Sequence, residues 1–186
     1  MTGKKKNEII IAGFGGQGII LTGAILGKAA VLFDGKHAIM TQSYGPEARG
    51  GSCSSQVIIS EDEILSPSLE NPRTLLCMNQ EGYEKNIGFL SPAGLLVWDT
   101  DLVEPKPPSA AQTGYDVPCT RIAEELGNKM MANIVLLGFF SIVSEAVSTE
   151  SLKQAVLDTV PPRTVENNSK AFDRGREYAQ SKLGKQ

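Results

Sequence analysis

The sequence has few residues of the kinds that hold metals and redox centres. Its 186 residues include three cysteines, Cys53, Cys77 and Cys119, and a single histidine, His37. Zinc sites and iron–sulfur clusters need about four soft ligands, usually in closely spaced pairs. Because no C-x-x-C pair is present, a cluster held by this chain alone is excluded. We expect no metal site and three buried thiols.

The sequence also lacks a positive net charge and a long apolar run. A net charge of −3 gives no support for nucleic acid binding. The basic residues at 4–6 are expected to be solvated, within a flexible terminus at 1–7. The longest uncharged apolar run, 134–143, is about half of what a bilayer requires, and no signal peptide pattern is present. We therefore expect a cytoplasmic protein that binds neither nucleic acid nor a membrane.

Apolar periodicity predicts one domain, 1–186, in which strands alternate with helices. Such alternation is typical of an α/β fold, here a Rossmann-like, mostly parallel sheet with helices on both faces. A proline-rich stretch at 104–118 is expected to cross the surface, and Thr120 is expected to cap a short helix. The predicted strands are 8–12, 36–42, 54–59, 74–78 and 95–99, and the predicted helices are 18–33, 120–126, 129–146 and 149–159. Residues 164–183 are expected to form a last amphipathic helix, or a break followed by a helix.

The stretch IIIAGFGGQGIILTG, residues 9–23, resembles a dinucleotide-binding turn. Gly13, Gly15 and Gly18 have the G-x-G-x-x-G spacing, in which they serve a tight turn, phosphate approach and close helix–strand packing. Together with Gly16 and Gln17 they predict a contact for an anion or a partner at a helix N-terminus. The acid that binds the ribose hydroxyls is missing from 40–43, where the second strand ends. The pattern thus favours the scaffold more than NAD or FAD.

A second loop, SYGPEARGG at 43–51, follows the second predicted strand. In a parallel sheet it emerges at the same edge as the glycine turn, the edge at which α/β proteins bind ligands. Tyr44 offers a ring and a hydroxyl, Glu47 and Arg49 offer charge, and Gly50 and Gly51 allow close approach. These residues predict a surface for a partner or an anionic ligand. The alternative is an ordinary polar loop with an internal contact between Glu47 and Arg49.

The two loops together resemble one protein family. GFGGQGI with SYGPEARGGSCSSQVIIS is similar to the γ subunit of the 2-oxoacid:ferredoxin oxidoreductases, and most similar to that of the 2-oxoglutarate enzyme. MNQEGYEK at 78–85, ELGNKMMANIVLLG at 125–138 and NNSKAFDRG at 167–175 resemble later landmarks of the same family, in the same order. The resemblance covers nearly the whole chain.

The resemblance implies a subunit of an enzyme complex. Such a complex oxidatively decarboxylates a 2-oxoacid, forms an acyl-CoA and reduces ferredoxin. The expected partners are α and β subunits and a ferredoxin-like δ subunit, which would carry thiamine diphosphate and [4Fe–4S] clusters, with CoA as a further cofactor of the complex. This chain would support assembly and the active site without a cofactor or catalytic residue of its own.

Two other functions remain open from the sequence. The first alternative is a free-standing Rossmann-type oxidoreductase that uses NAD(P) or flavin, for which the glycine spacing is the motive. The second is hydrolytic chemistry, which has little support. His37 lies on a predicted strand beside apolar residues, where a structural histidine is more common than a general base.

Overall fold

A six-stranded sheet forms the centre of the described part of the protein. The computed structural model describes residues 6–45, 51–106 and 111–184. The strands have the spatial order β2-β3-β1-β4-β5-β6. Their bounds are β1 Asn7–Phe14, β2 His37–Tyr44, β3 Ser52–Ser60, β4 Thr74–Cys77, β5 Leu95–Asp99 and β6 Thr113–Val117.

The sheet is mostly parallel, as the sequence predicts, with β3 as the exception. Strands β1, β4, β5 and β6 pair in parallel, whereas β3 is antiparallel to both β1 and β2. The reversal follows from the short connection at 45–51, because a parallel crossover needs about a dozen residues or more. Val57 of β3 lies opposite Ile9 on one side and Met40 on the other. Strand β2 therefore runs in the same direction as β1 without pairing with it.

Six α-helices are present in the described residues. Their bounds are α1 Ile19–Lys28, α2 Gln80–Asn86, α3 Cys119–Glu125, α4 Ala132–Val143, α5 Thr149–Leu157 and α6 Val165–Leu183. Helix α1 continues into a π-helical turn, Ala29–Phe33, and Gly35 with a φ of 66° directs the chain into β2. No helix in the described residues is long and apolar enough to cross a membrane.

Both faces of the sheet are covered, but unequally. Ile9 and Ile11 of β1 point into a large core that they share with α1, α3, α4, α5 and α6. Ile10 and its neighbour Leu75 point into a smaller core covered by α2 and by Leu90. The alternation follows from the two-residue period of a strand. Helices on both faces were predicted, and the unequal distribution is set by the tertiary structure.

Helix α4 is buried within the fold, which explains its apolar sequence. It packs closely against α6: a Cβ added at Gly138 would lie 2.0 Å from the carbonyl oxygen of Phe172. Phe139 also makes an edge contact with Tyr115 of β6, with ring centroids 5.6 Å apart. Since only glycine leaves room for this approach, the α4–α6 crossing depends on the residue at position 138.

Several predicted elements differ from the structure. The surface crossing at 104–118 contains β6, a short edge strand whose few apolar residues hid it from the periodicity argument. The helix predicted at 129–146 begins later, after a 3₁₀ turn at Lys129–Met131, and ends at Val143. Thr120 does not cap α3; it lies inside the helix, and its hydroxyl donates to Asp99. Asn7 belongs to β1, so the expectation of a flexible 1–7 is wrong at that residue.

Candidate functional site

The carboxyl end of the parallel strands brings the two sequence loops together. The glycine turn follows β1, and the second loop joins β2 to the amino end of β3 at the same edge. The amide of Gly15 donates to the carbonyl of Gly51 at 2.9 Å, and the amide of Gly45 donates to that of Ser52 at 2.7 Å. Tyr44 is 64% exposed beside them. The two loops therefore meet as predicted, and the N–H of Gly15, the glycine at which the motif leaves room for a phosphate, is bonded to Gly51.

Three predicted residues of the second loop, Glu47, Arg49 and Gly50, lie outside the described residues. Their expected contact with a partner or an anion stays a prediction.

The glycine turn is built around close contacts within the protein. Gly13 is part of β1 and not of the turn, and a Cβ there would lie 2.5 Å from Ile19. Gly18 has a φ of 74°, and a Cβ there would lie 2.5 Å from the side-chain amide of Asn133. That amide donates to the carbonyl of Gly18 and to the hydroxyl of Thr22, both at 3.3 Å. Gly18 therefore makes room for α4, and not for a strand as the motif suggests.

Gln17 is fixed at both ends by backbone groups. Its Oε1 accepts from the amide of Phe14 at 2.6 Å, and its Nε2 donates to the carbonyl of Met78 at 2.8 Å. The side chain thus ties the turn after β1 to the end of β4. The sequence predicted instead a contact of Gln17 with an anion or a partner.

The strand beside β1 is where an acid for the ribose hydroxyls would be expected. In a Rossmann domain the second strand lies beside the first, and its end faces the glycine turn. Here β3 occupies that place, with Cys53 opposite Gly13 and Ser52 opposite Phe14. The sequence argument therefore examined the wrong strand. Its conclusion is unchanged, since neither Ser52 nor Cys53 is a carboxylate.

Two clefts that the sequence did not predict open beside the glycine turn. One has a volume of about 360 Å³ and runs from Gly16 and Gln17 to Glu124 and Met130. The other, of about 400 Å³, runs from Phe14 across to Glu84 on α2. Residues of the landmarks at 78–85 and 125–138 line them, so these motifs were the available signal. Only the topology shows that the two motifs meet at one edge.

A buried carboxylate holds part of the wall of the first cleft in place. Asp99, at the end of β5, is fully buried. Its Oδ2 accepts from the amide of Thr120 at 2.9 Å and from the hydroxyl at 2.6 Å, and its Oδ1 accepts from the amide of Asp101 at 3.0 Å. These bonds hold the first turn of α3 against the sheet. Asp99 is thus a structural acid that positions the wall of the cleft.

The three cysteines are buried and lie apart from one another. Cys53 and Cys119 belong to the large core, whereas Cys77 belongs to the smaller core on the opposite face of the sheet. Cys53 is on β3, and Cys119 begins α3 directly after β6; strands β3 and β6 are four positions apart in the sheet, or about 19 Å at ~4.8 Å per strand. Burial raises the pKa of all three thiols, and the nearby Asp99 raises that of Cys119 further. This arrangement does not fit an iron–sulfur cluster.

Metal-binding groups are scarce elsewhere as well. Within 6–45, 51–106 and 111–184, no three His, Cys, Asp or Glu side chains lie close enough to hold a metal ion. His37, at the start of the edge strand β2, is exposed. The described residues of this edge provide apolar walls, exposed carboxylates and fixed backbone groups.

Nearly the whole chain matches one known protein family. The model of the pyruvate ferredoxin/flavodoxin oxidoreductase family matches residues 8–178. The chain belongs to this family. The resemblance found in the two loops and the three later landmarks is thereby confirmed.

Proteins similar to this chain include subunits of oxidoreductases. The 2-oxoglutarate synthase subunit KorC of Methanocaldococcus jannaschii is 47% identical over 178 residues, which is 95% of each chain. The γ subunit of a keto/oxoacid ferredoxin oxidoreductase from Geobacter sulfurreducens PCA has a TM-score of 0.83 at 40% identity, and covers 94% of this chain and 99% of that one.

A larger relative contains the same fold as part of a longer chain. The 2-oxoglutarate:ferredoxin oxidoreductase from Magnetococcus marinus was solved with 2-oxoglutarate, coenzyme A and succinyl-CoA bound. It matches with a TM-score of 0.87 at 26% identity, covering 96% of this chain and 32% of that chain. The family thus includes both separate chains of this size and longer chains that contain an equivalent unit.

Proposed function

We propose that this chain is the γ subunit of a 2-oxoglutarate:ferredoxin oxidoreductase, an enzyme that converts a 2-oxoacid and CoA to an acyl-CoA and reduces ferredoxin. The observation that carries the proposal is the 47% identity to KorC across 95% of both chains. Residues 1–186 then form one γ-type domain, which works in the cytoplasm with α, β and ferredoxin-like δ subunits.

In this proposal the chain contributes surfaces and not a redox centre. Thiamine diphosphate would supply carbanion stabilisation and the [4Fe–4S] clusters would carry electrons, both on the companion subunits. The separated, buried thiols of this chain support that division, because clusters are held by thiolates gathered at one point. Its own residues bind the companions, orient them and exclude water where they meet.

The carboxyl edge of the sheet is the surface that we assign to assembly. Large apolar side chains are exposed there: Phe14 by 39%, Tyr44 by 64%, Leu102 by 38% and Met130 by 59%. Contiguous apolar exposure is typical of a surface that another protein covers. We also assign Glu47, Arg49 and Gly50 of the second loop to assembly, because Arg49 offers a planar fork suited to a carboxylate or a phosphate.

The test compares the isolated chain with the reconstituted complex. We expect the isolated chain to be colourless and without 2-oxoglutarate-dependent dye reduction, and addition of the companion subunits to restore turnover. Stoichiometric iron in the pure chain, or turnover without the other subunits, would contradict the proposal.

A single substitution tests the loop. We expect Arg49→Ala to leave the melting temperature of the free chain nearly unchanged, since a surface change is worth under ~0.5 kcal/mol. Loss of an interfacial charge contact should weaken assembly by ~2–5 kcal/mol. Unchanged assembly would return the loop to the alternative of an ordinary polar loop, and a large drop in melting temperature would make Arg49 an internal support.

A further inference from the structure

The two clefts beside the glycine turn form one continuous surface. Both are lined by Gln17, Met78 and Leu102, so a single bound segment can enter both. We call this surface the double cleft. We propose that the double cleft receives a segment of a companion subunit that carries an apolar side chain flanked by lysine or arginine. The proposal rests on the function proposed above and specifies the chemistry of the partner.

We assign an apolar side chain to the segment because apolar side chains are exposed on the walls of the double cleft. Leu102 is 38% exposed on the common wall, Met130 is 59% exposed on one side and Phe14 is 39% exposed on the other. Burying apolar surface gains about 25 cal/mol per Å², so an inserted aliphatic or aromatic side chain is stabilised there. Methionine adapts its shape to such a side chain because it is unbranched and flexible.

The walls are held in place before any partner arrives. Gln17 is bonded at both ends, as described above. The amide of Leu102 donates to the carbonyl of Asp99 at 3.2 Å, and the amide of Met130 donates to the side-chain oxygen of Asn128 at 3.0 Å. Little backbone ordering entropy is therefore lost on this side of the contact, which favours binding.

We assign lysine or arginine to the segment because carboxylates line the rim of the double cleft. Glu124 lines the first cleft and Glu84 lines the second. Glu104 lies at the rim of the second cleft, where its amide donates to the side chain of Gln80 at 2.8 Å. Within the described part of the chain, none of these three carboxylates forms an ion pair, and Lys129 is the opposing charge on the lining. Complementary charges across an interface steer association and select the partner.

The same rim disfavours other occupants. Three carboxylates repel the phosphates of nucleic acids and nucleotides, in agreement with the net charge of −3. The double cleft is also distinct in chemistry from the loop with Arg49, whose side chain suits an anionic group. The acidic rim and the apolar walls of the double cleft therefore favour a companion segment of the opposite charge.

The first experiment measures association in the complete complex. The double variant Glu84→Lys/Glu124→Lys is reconstituted with the companion subunits beside a charge-matched control, Glu63→Lys/Glu70→Lys. Both control positions are exposed, and they lie towards the opposite edge of the sheet, beside His37 and Glu8. We expect the cleft variant to associate about ten-fold more slowly, with a weaker dependence on salt, while the control behaves as wild type. Equal rates and equal salt dependence for wild type and cleft variant would overturn the proposal.

The second experiment identifies the occupant. Met130→Cys provides one exposed thiol for a photo-crosslinker, because the three native cysteines are buried. We expect the crosslinked peptide to come from a companion subunit and to contain an apolar residue adjacent to lysine or arginine. A crosslink to a second copy of this chain, or to a peptide without basic residues, would overturn the proposal.

Two further outcomes separate this proposal from the one on which it rests. If the cleft variants lose turnover while assembling at the wild-type rate, the double cleft serves a small molecule and the proposal is wrong, although the γ subunit function stands. If wild-type chain fails to assemble with the companion subunits at all, the proposed function itself is wrong.

Discussion

Gln17 offers a sharp test of whether the glycine turn is a structural joint or a ligand site. Gln17→Ala removes the acceptor for the amide of Phe14 and the donor to the carbonyl of Met78. Two hydrogen bonds between neutral groups contribute ~1–3 kcal/mol in total, and water can replace the bond at the exposed Phe14. We expect a loss of ~1–2 kcal/mol in the free energy of unfolding. For a chain of this size that lowers the melting temperature by ~2–8 °C.

A second variant separates the two bonds. Gln17→Glu keeps an oxygen for the Phe14 amide but, when ionised, places a carboxylate against the Met78 carbonyl. We expect it to be at least as destabilising as Gln17→Ala at neutral pH, and to recover when acid protonates the carboxyl group, which can then donate. Gln42→Ala, at an exposed position of β2, is the control and should change stability by less than ~0.5 kcal/mol.

The measurement is denaturant and thermal unfolding of the free chain, followed by assembly with the companion subunits. Wild-type stability of Gln17→Ala, combined with impaired assembly or loss of anion binding, would refute the structural reasoning. In that case the side chain would serve a partner or a ligand, as the sequence first suggested.

Three other predictions follow from the same structure. Gly138→Ala should destabilise the chain by ~3 kcal/mol in denaturant titration, because its Cβ would lie 2.0 Å from a carbonyl oxygen of α6, whereas Gly88→Ala points into open space and should be nearly neutral. The carboxylate of Asp34 accepts hydrogen bonds from the amide and the hydroxyl of Ser148. Burial by itself would raise the pKa of Asp34. The hydrogen bonds from Ser151 and Ser148 and the charge of Lys36 outweigh burial, so the pKa of Asp34 is lowered. Wild type should therefore exceed Asp34→Asn in stability above pH 3.8, the ordinary pKa of this carboxyl, and lose that advantage as the pH falls through the lowered value. Calorimetric titration with NAD, NADP and FAD should give no micromolar binding, since omission of a charged hydrogen-bond partner alone forfeits ~1.5–3 kcal/mol, or one to two orders of magnitude in affinity.

Each of these predictions has a clear contrary outcome. Equal stability of the Gly138→Ala and Gly88→Ala variants would mean that α4 and α6 approach less closely than described. A stability difference between wild type and Asp34→Asn that is independent of pH would rule out the carboxylate as its source. Micromolar binding of a dinucleotide, abolished by Gly15→Val, would revive the free-standing oxidoreductase.

Much of this fold could be predicted from the sequence, because strands, turns and helix ends depend on residues that are close together in the chain. Apolar runs located five of the six strands, and the prolines and glycines marked the ends of helices. The strand β6 escaped prediction because an edge strand needs little apolar surface, and its TGYDV sequence resembles a turn. Family membership was also accessible, since the paired loops carry residues in a specific order.

By itself, the sequence determined which chemistry this protein can hold and which residues make its turns. Three isolated cysteines predict that this chain holds no cluster of its own, and the glycine spacing predicts a strand–turn–helix unit, because both depend on composition and on short-range backbone geometry. Only the tertiary structure decided what the turn faces. The hairpin through 45–51 inserted β3 beside β1, so the Gly15 N–H meets Gly51 and the expected ribose position is occupied by Ser52 and Cys53. The double cleft likewise exists only because strands distant in sequence end at one edge, and strand order is a long-range property that no local pattern encodes.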